Sequence, residues 1–120
     1  MLIIGERINS TRKSVQPAVR EKNADFIIEE ARKQKEAGAH YIDVNVATMG
    51  EEEPAYMEWA VKTIQGAVGV PLSIDSPNAR AMEVGLQAHQ GTAFLNSITA
   101  EKKKLEGMVP LAREYGSNVV

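Results

Sequence analysis

Short apolar runs alternate with longer amphipathic stretches along the whole chain. Met1-Leu2-Ile3-Ile4 is an unbroken apolar run and Gly5-Glu6-Arg7-Ile8-Asn9 interrupts it, which predicts a first strand and then a polar loop. Residues 10–23 have mixed polarity and include Pro17, the mark of a long loop with a helical turn. Asp25 to Ala37 reads as a helix, with Ile27, Ile28, Ala31 and the stem of Lys35 inward and Gly38 just past its end. Tyr41-Ile42-Asp43-Val44-Asn45-Val46 alternates with period two, a second strand with Asp43 and Asn45 on one face. Ala47 to Glu53 is an acidic-ended loop. Pro54 to Val68 is the clearest helix: Met57, Ala60, Val61, Ile64 and Val68 form one apolar stripe, and Gly69 follows.

Pro71-Leu72-Ser73-Ile74-Asp75-Ser76-Pro77 is a third strand that ends in a carboxylate and turns at once toward a helix. Ser76 is placed to cap that helix and Pro77 to fill its first position. The helix covers Asn78 to Gln90, with Met82, Gly85, Leu86 and His89 on one side. Gly85 would permit close approach to the sheet, and Gly91 stops the helix. Thr92 to Ser97 is a fourth strand. Glu101 to Tyr115 is a helix kinked at Pro110, and Ser117 to Val120 begins a fifth strand.

The order β-α-β-α-β-α-β-α-β predicts an α/β protein with a parallel sheet and right-handed crossovers. A doubly wound sheet and a (β/α)8 barrel both fit. The chain stops inside an apolar run, and its 120 residues are close to half of the about 250 that a barrel needs. The expectation is one domain, residues 1–120: the N-terminal half of a (β/α)8 TIM barrel, cut within strand 5.

Composition narrows function by exclusion. A net charge of −2 indicates no nucleic-acid partner, and Lys102-Lys103-Lys104 reads as a solvated face. Without cysteine there is no disulfide, thiolate metal site or cysteine nucleophile. No apolar stretch reaches the length of a membrane span and no secretory signal opens the chain, so a cytoplasmic protein is expected.

Candidate chemistry collects at the strand ends: Glu6, Arg7 and Asn9; Asp43 and Asn45; Asp75 and Ser76; Asn96 and Ser97. In a barrel these form one ring at the carboxyl-end mouth, where the fold keeps its sites. His40 and His89 fall at the opposite end and read as structural, so no metal is expected on this chain. No nucleophile is paired with a base, and Gly5 alone makes no phosphate loop. Asp and Asn together suit a heterocycle with alternating donors and acceptors, and a pterin has such an edge.

Ile4-Gly5-Glu6-Arg7-Ile8-Asn9, Asp43-Val44-Asn45, Ile74-Asp75-Ser76 and Leu95-Asn96-Ser97, in that order and spacing, resemble the pterin-binding barrels. They are most similar to methyltetrahydrofolate:corrinoid protein methyltransferases, with the folate domain of cobalamin-dependent methionine synthase also alike. The resemblance implies a homodimeric barrel that takes the N5-methyl group of methyltetrahydrofolate to Co(I) of a corrinoid (cobalamin) on a partner protein. It implies that Asp75 and Asn96 hold the pterin, that Asp43 and Asn45 line and order the pocket, and that Glu6, Arg7, Asn9 and Ser97 support it. The family's further pterin-binding Asp and its N5-contacting Asn belong to later strands, so the catalytic groups are expected beyond Val120. Dihydropteroate synthases share the barrel but carry Asp-Ser-Phe after strand 1, where this chain has Asn9-Ser10-Thr11-Arg12-Lys13-Ser14. A synthase, or a half-barrel that binds pterin without catalysis, remains the alternative.

Overall fold

A computed structural model describes residues 3–91, 93–96 and 118–119, with residues 95, 96, 118 and 119 described as backbone only. The expected helix over residues 101–115 and Ser97 lie outside the described residues. Five strands form one sheet: β1 (Ile4–Asn9), β2 (Tyr41–Asn45), β3 (Leu72–Asp75), β4 (Phe94–Asn96) and β5 (Asn118–Val119). They lie in the order β1-β2-β3-β4-β5, and every pair is parallel. The described helices are α1 (Val15–Arg20), α2 (Ala24–Glu36), α3 (Glu53–Ala67) and α4 (Ala79–Ala88), with 3-10 turns over Ala47–Glu52 broken at Gly50. A doubly wound sheet reverses its strand order partway and puts helices on both faces. Here the order is strictly sequential. Gln34 of α2 packs at Gly5, and Gly85 of α4 packs on Ile74. Gly5 pairs in register with Ile42, and Ile74 with Val44, so both helices cover the same face. That is the layout of a barrel wall.

The core lies between this face and the helices. Ile8, Ile42, Val44, Leu72 and Ile74 on the strands meet Ile27, Met57, Val61, Ile64 and Met82, all fully buried. The stripe expected on α3 is buried from Met57 to Val68. On α2 the inward residue is Gln34 rather than Lys35, which is exposed. The polar loop expected after Ile4 is instead strand. β1 runs to Asn9 but carries an extra residue: Gly5 pairs with Ile42 and Ile8 with Val44, so Glu6 and Arg7 together oppose Asp43. The cause is local. Gln34 Oε1 accepts the Arg7 N–H at 3.1 Å, taking it out of the ladder. A Cβ on Gly5 would lie 2.3 Å from that oxygen, so Gly5 makes the room.

The helix after β3 starts later than the sequence suggested. Asn78 is its cap, accepting from Arg80 N at 2.8 Å and Ala81 N at 3.2 Å. Ser76 and Pro77 belong to the loop before it. At the other end α4 stops at Ala88, before Gly91, and α3 stops at Ala67 with Val68 extended.

His89 sits at the amino end of the strands, as expected. Its Nε2 accepts the Leu72 N–H at 2.9 Å, and its Nδ1 is 3.1 Å from Gly91 O, so the neutral Nδ1–H tautomer ties β3 to the turn after α4. Burial lowers its pKa below the ordinary value of 6.5. The unfolded chain therefore takes up a proton first as pH falls, and the stability due to neutral His89 is intact above pH 6.5 and lost below it. His89→Ala is expected to cost about 1–3 kcal/mol by orphaning the Leu72 N–H, and to flatten the fall in thermal midpoint between pH 7.5 and 5.5. Identical pH profiles for the two proteins would remove His89 from that role.

Candidate functional site at the carboxyl ends of the strands

The inner face of the sheet is built from the alternate residues. Register places Asp43 beside Ser73, and Ser73 beside Phe94. One layer nearer the mouth, Asn45 follows on β2 and Asp75 on β3, with Asn96 in register with Asp75. Below them the rings of Tyr41 and Phe94 meet edge to face, centroids 4.1 Å apart, across the intervening strand. The inner face is therefore aromatic at its base and polar at its mouth.

Most polar groups of this face are already engaged. Ser73 Oγ donates to Asp43 Oδ1 at 2.8 Å. Asn9 Oδ1 accepts from Thr11 N at 2.9 Å and Thr11 Oγ1 at 2.7 Å, and Asn45 Oδ1 accepts from Ala47 N at 2.9 Å. In both Asn residues the carbonyl end is spent on a turn at the strand end, and the Asn45 side chain also bonds the Asp75 carboxyl. Ser10, fully buried, joins the two turns: its N donates to Asn45 O at 2.8 Å, and Thr48 N donates to its Oγ at 3.2 Å.

Asp75 differs. It is 3% exposed, and its Oδ1 accepts no hydrogen bond from any described residue. Burial pushes its pKa up to about 8; the adjacent Asp43 and, farther off, Glu6 push the same way, while Asn45 pulls it back. Burial and the neighbouring carboxyl thus both favour the protonated form of Asp75. A buried acceptor without a described donor is costly for folding alone and marks Asp75 as a candidate ligand contact.

Among the sequence-derived candidates, Asp43, Asn45 and Asp75 converge on this face, with Asn9 in register beside Asn45. Glu6 is exposed but within electrostatic reach of Asp75. Asn96 is at the right register position by its backbone. Arg7 points away from the site: its Nε meets Glu30 of α2 at 3.3 Å, outside the sheet. Glu53 was missed. It read as the end of an acidic loop, yet it is buried at the start of α3 and accepts a hydrogen bond from Ser76 Oγ. Nothing in its spacing marked it; Pro54 after it was the one hint that a helix, and so a packed position, begins there. Among the described residues no three His, Asp or Glu side chains converge as metal ligands, and no helix is long and apolar enough to cross a membrane.

A sequential parallel sheet with helices on its outer face and a carboxylate cluster at its carboxyl ends defines an α/β barrel enzyme scaffold. The chain belongs to the pterin binding enzyme family, which it matches over residues 5–120. That family has the TIM-barrel fold, and the strands here are part of such a barrel. The chain is similar to a methylcorrinoid:tetrahydrofolate methyltransferase of Eubacterium limosum, 37% identical over 111 residues, which cover 92% of this chain and 41% of that protein. It is 25% identical over 126 aligned positions to a methionine synthase of Mycobacterium tuberculosis, covering all of this chain and 11% of that protein. It thus spans less than half the length of either.

Proposed function

We propose that the protein carrying this chain moves a methyl group between N5 of a tetrahydrofolate and the cobalt of a corrinoid on a partner protein. Asp75 and Asn96 grip the pterin; Asp43, Asn45, Asn9 and Glu6 line and order the pocket around it, and Ser97 supports it. The observation that carries this reading is the buried Asp75 Oδ1 with no described donor, at the mouth of a family barrel. An amino-pyrimidinone edge supplies two adjacent N–H donors, and an ionised Asp75 accepts both. Asn45 hydrogen-bonds the Asp75 carboxyl and so helps to orient it.

These strands bind and orient; the corrinoid supplies the cobalt that accepts or gives the methyl group. A tertiary amine leaves poorly, so N5 must gain proton character as methyl departs. Holding the ring fixed while that charge develops is the contribution expected of Asp75 and its neighbours. The relative's name runs from methylcorrinoid to tetrahydrofolate, the reverse of the direction first expected here. One pterin grip serves both, since forward and reverse transfer share a transition state. The resemblance also implies a homodimer.

The test uses the full-length protein, 5-methyltetrahydrofolate and reduced cobalamin. Methyl transfer in either direction, lost on Asp75→Ala or Asn96→Ala together with folate binding, is the expected result. Normal folate binding by both variants would sink the site assignment. Formation of dihydropteroate from para-aminobenzoate and a pterin pyrophosphate would replace the reaction.

A further inference from the structure

Glu53 is a buried carboxyl that the reading above leaves without a task. It is 3% exposed at the first turn of α3, and it accepts from the fully buried Ser76 Oγ. The Ser76 hydroxyl in turn accepts the Asn78 N–H at 2.9 Å and lies 3.3 Å from Asn78 O. Ser76 directly follows Asp75, and Asn78 caps α4. One hydroxyl therefore ties the start of α3, the end of β3 and the start of α4 together. Asp43 and Asn45 bond the Asp75 carboxyl from β2, one of its oxygens is held by no described residue, and the backbone it projects from is fixed next door at residue 76.

Burying a carboxyl is expensive, and an apolar side chain of similar size in such a place is often as stable or more so. Burial raises the Glu53 pKa and the Ser76 hydroxyl lowers it. Its place in the first turn of α3 gains from the helix dipole, but less than burying a charge costs, so stability is a weak reason for Glu here. We infer that Glu53 is a positioning residue for the pterin grip: through Ser76 it sets the direction in which Asp75 presents its carboxyl. It touches no substrate. The inference rests on Asp75 being the pterin contact.

The test is 5-methyltetrahydrofolate binding by the full chain, measured with thermal stability. Glu53→Leu removes the acceptor but keeps the volume. A thermal midpoint equal to or above the parent's with folate affinity about tenfold weaker is the expected result; a merely structural role would move both together or neither. Glu53→Gln keeps an oxygen for the Ser76 hydroxyl and is expected to bind within about threefold of the parent. Ser76→Ala is expected to match Glu53→Leu in affinity, and should Glu53→Leu fail to fold, the Gln and Ser76 variants carry the comparison. Parent-like affinity in Glu53→Leu or Ser76→Ala overturns the inference while leaving the pterin reading intact. A parent protein that binds no folate overturns both.

Discussion

Asp75→Asn is expected to weaken methyltetrahydrofolate binding by roughly 100-fold and, at pH 8, to raise the stability of the unliganded protein. The first effect follows from hydrogen-bond polarity. An ionised carboxyl accepts two N–H donors, whereas a carboxamide offers one acceptor and sets its own NH2 against the second donor. Losing one charge-assisted bond and leaving a donor unpaired is worth about 2–3 kcal/mol. The second effect follows from linkage. The folded state holds a proton on Asp75 up to about pH 8, while the unfolded chain releases it near the ordinary 3.8. Below pH 4 both states are protonated and the residue costs nothing. Between these values the unfolded state binds fewer protons, so stability drains away as pH rises and levels off above the folded pKa. Asparagine has no such dependence. The gap in thermal midpoint between variant and parent should therefore widen from pH 5 to pH 8, and melts that run parallel across this range would rule the raised carboxyl out. For the same reason folate should bind the parent more tightly as pH approaches 8, because the two arriving N–H groups need the ionised form.

Gly85→Val is expected to destabilise the protein by about 3 kcal/mol. A Cβ at this position would lie 2.8 Å from Ile74 Cγ2 and 3.0 Å from Met57 Cγ. Both neighbours are fully buried, one on β3 and one on α3, so neither has free space to retreat into. Gly85→Ala meets the same wall with one carbon; its helix propensity returns about 1 kcal/mol against an overpacking cost of about 1–3 kcal/mol. The larger valine has no such offset. Chemical denaturation with an unchanged m-value is the measurement, and a Gly85→Val protein as stable as the parent would show that α4 can slide off the sheet at little cost. Because Ile74 precedes Asp75, any shift that relieves the clash is passed to the carboxyl, and folate affinity should fall with stability.

The arrangement of the chain was readable where periodicity carried it. The α3 stripe, the Asp43/Asn45 alternation and the approach at Gly85 each follow from one spacing rule, and each is present. The reading slipped where a side chain overrides local pattern. Gly5 to Asn9 looks like a loop because of its polarity; it is strand because Gln34 takes the Arg7 N–H and lets one residue bulge out. Ser76 looks like a cap, but Glu53 claims its hydroxyl and Asn78 becomes the cap instead. Both errors involve partners more than 20 residues away, which no window along the sequence can reveal. Asp75 could be found from its place at a strand end. That one of its oxygens would be buried with no described donor could not, since this depends on how Asp43 and Asn45 meet the rest of the carboxyl across the sheet.

The Tyr41–Phe94 pair has a further consequence. Two rings meet across β3, with Phe94 level with Ser73 by register, so the base of the inner face on these strands is closed by carbon and not by polar groups. The layer of hydrogen-bonding groups is therefore confined to the last positions of these strands, Asp43 and Ser73 and then Asn45 and Asp75.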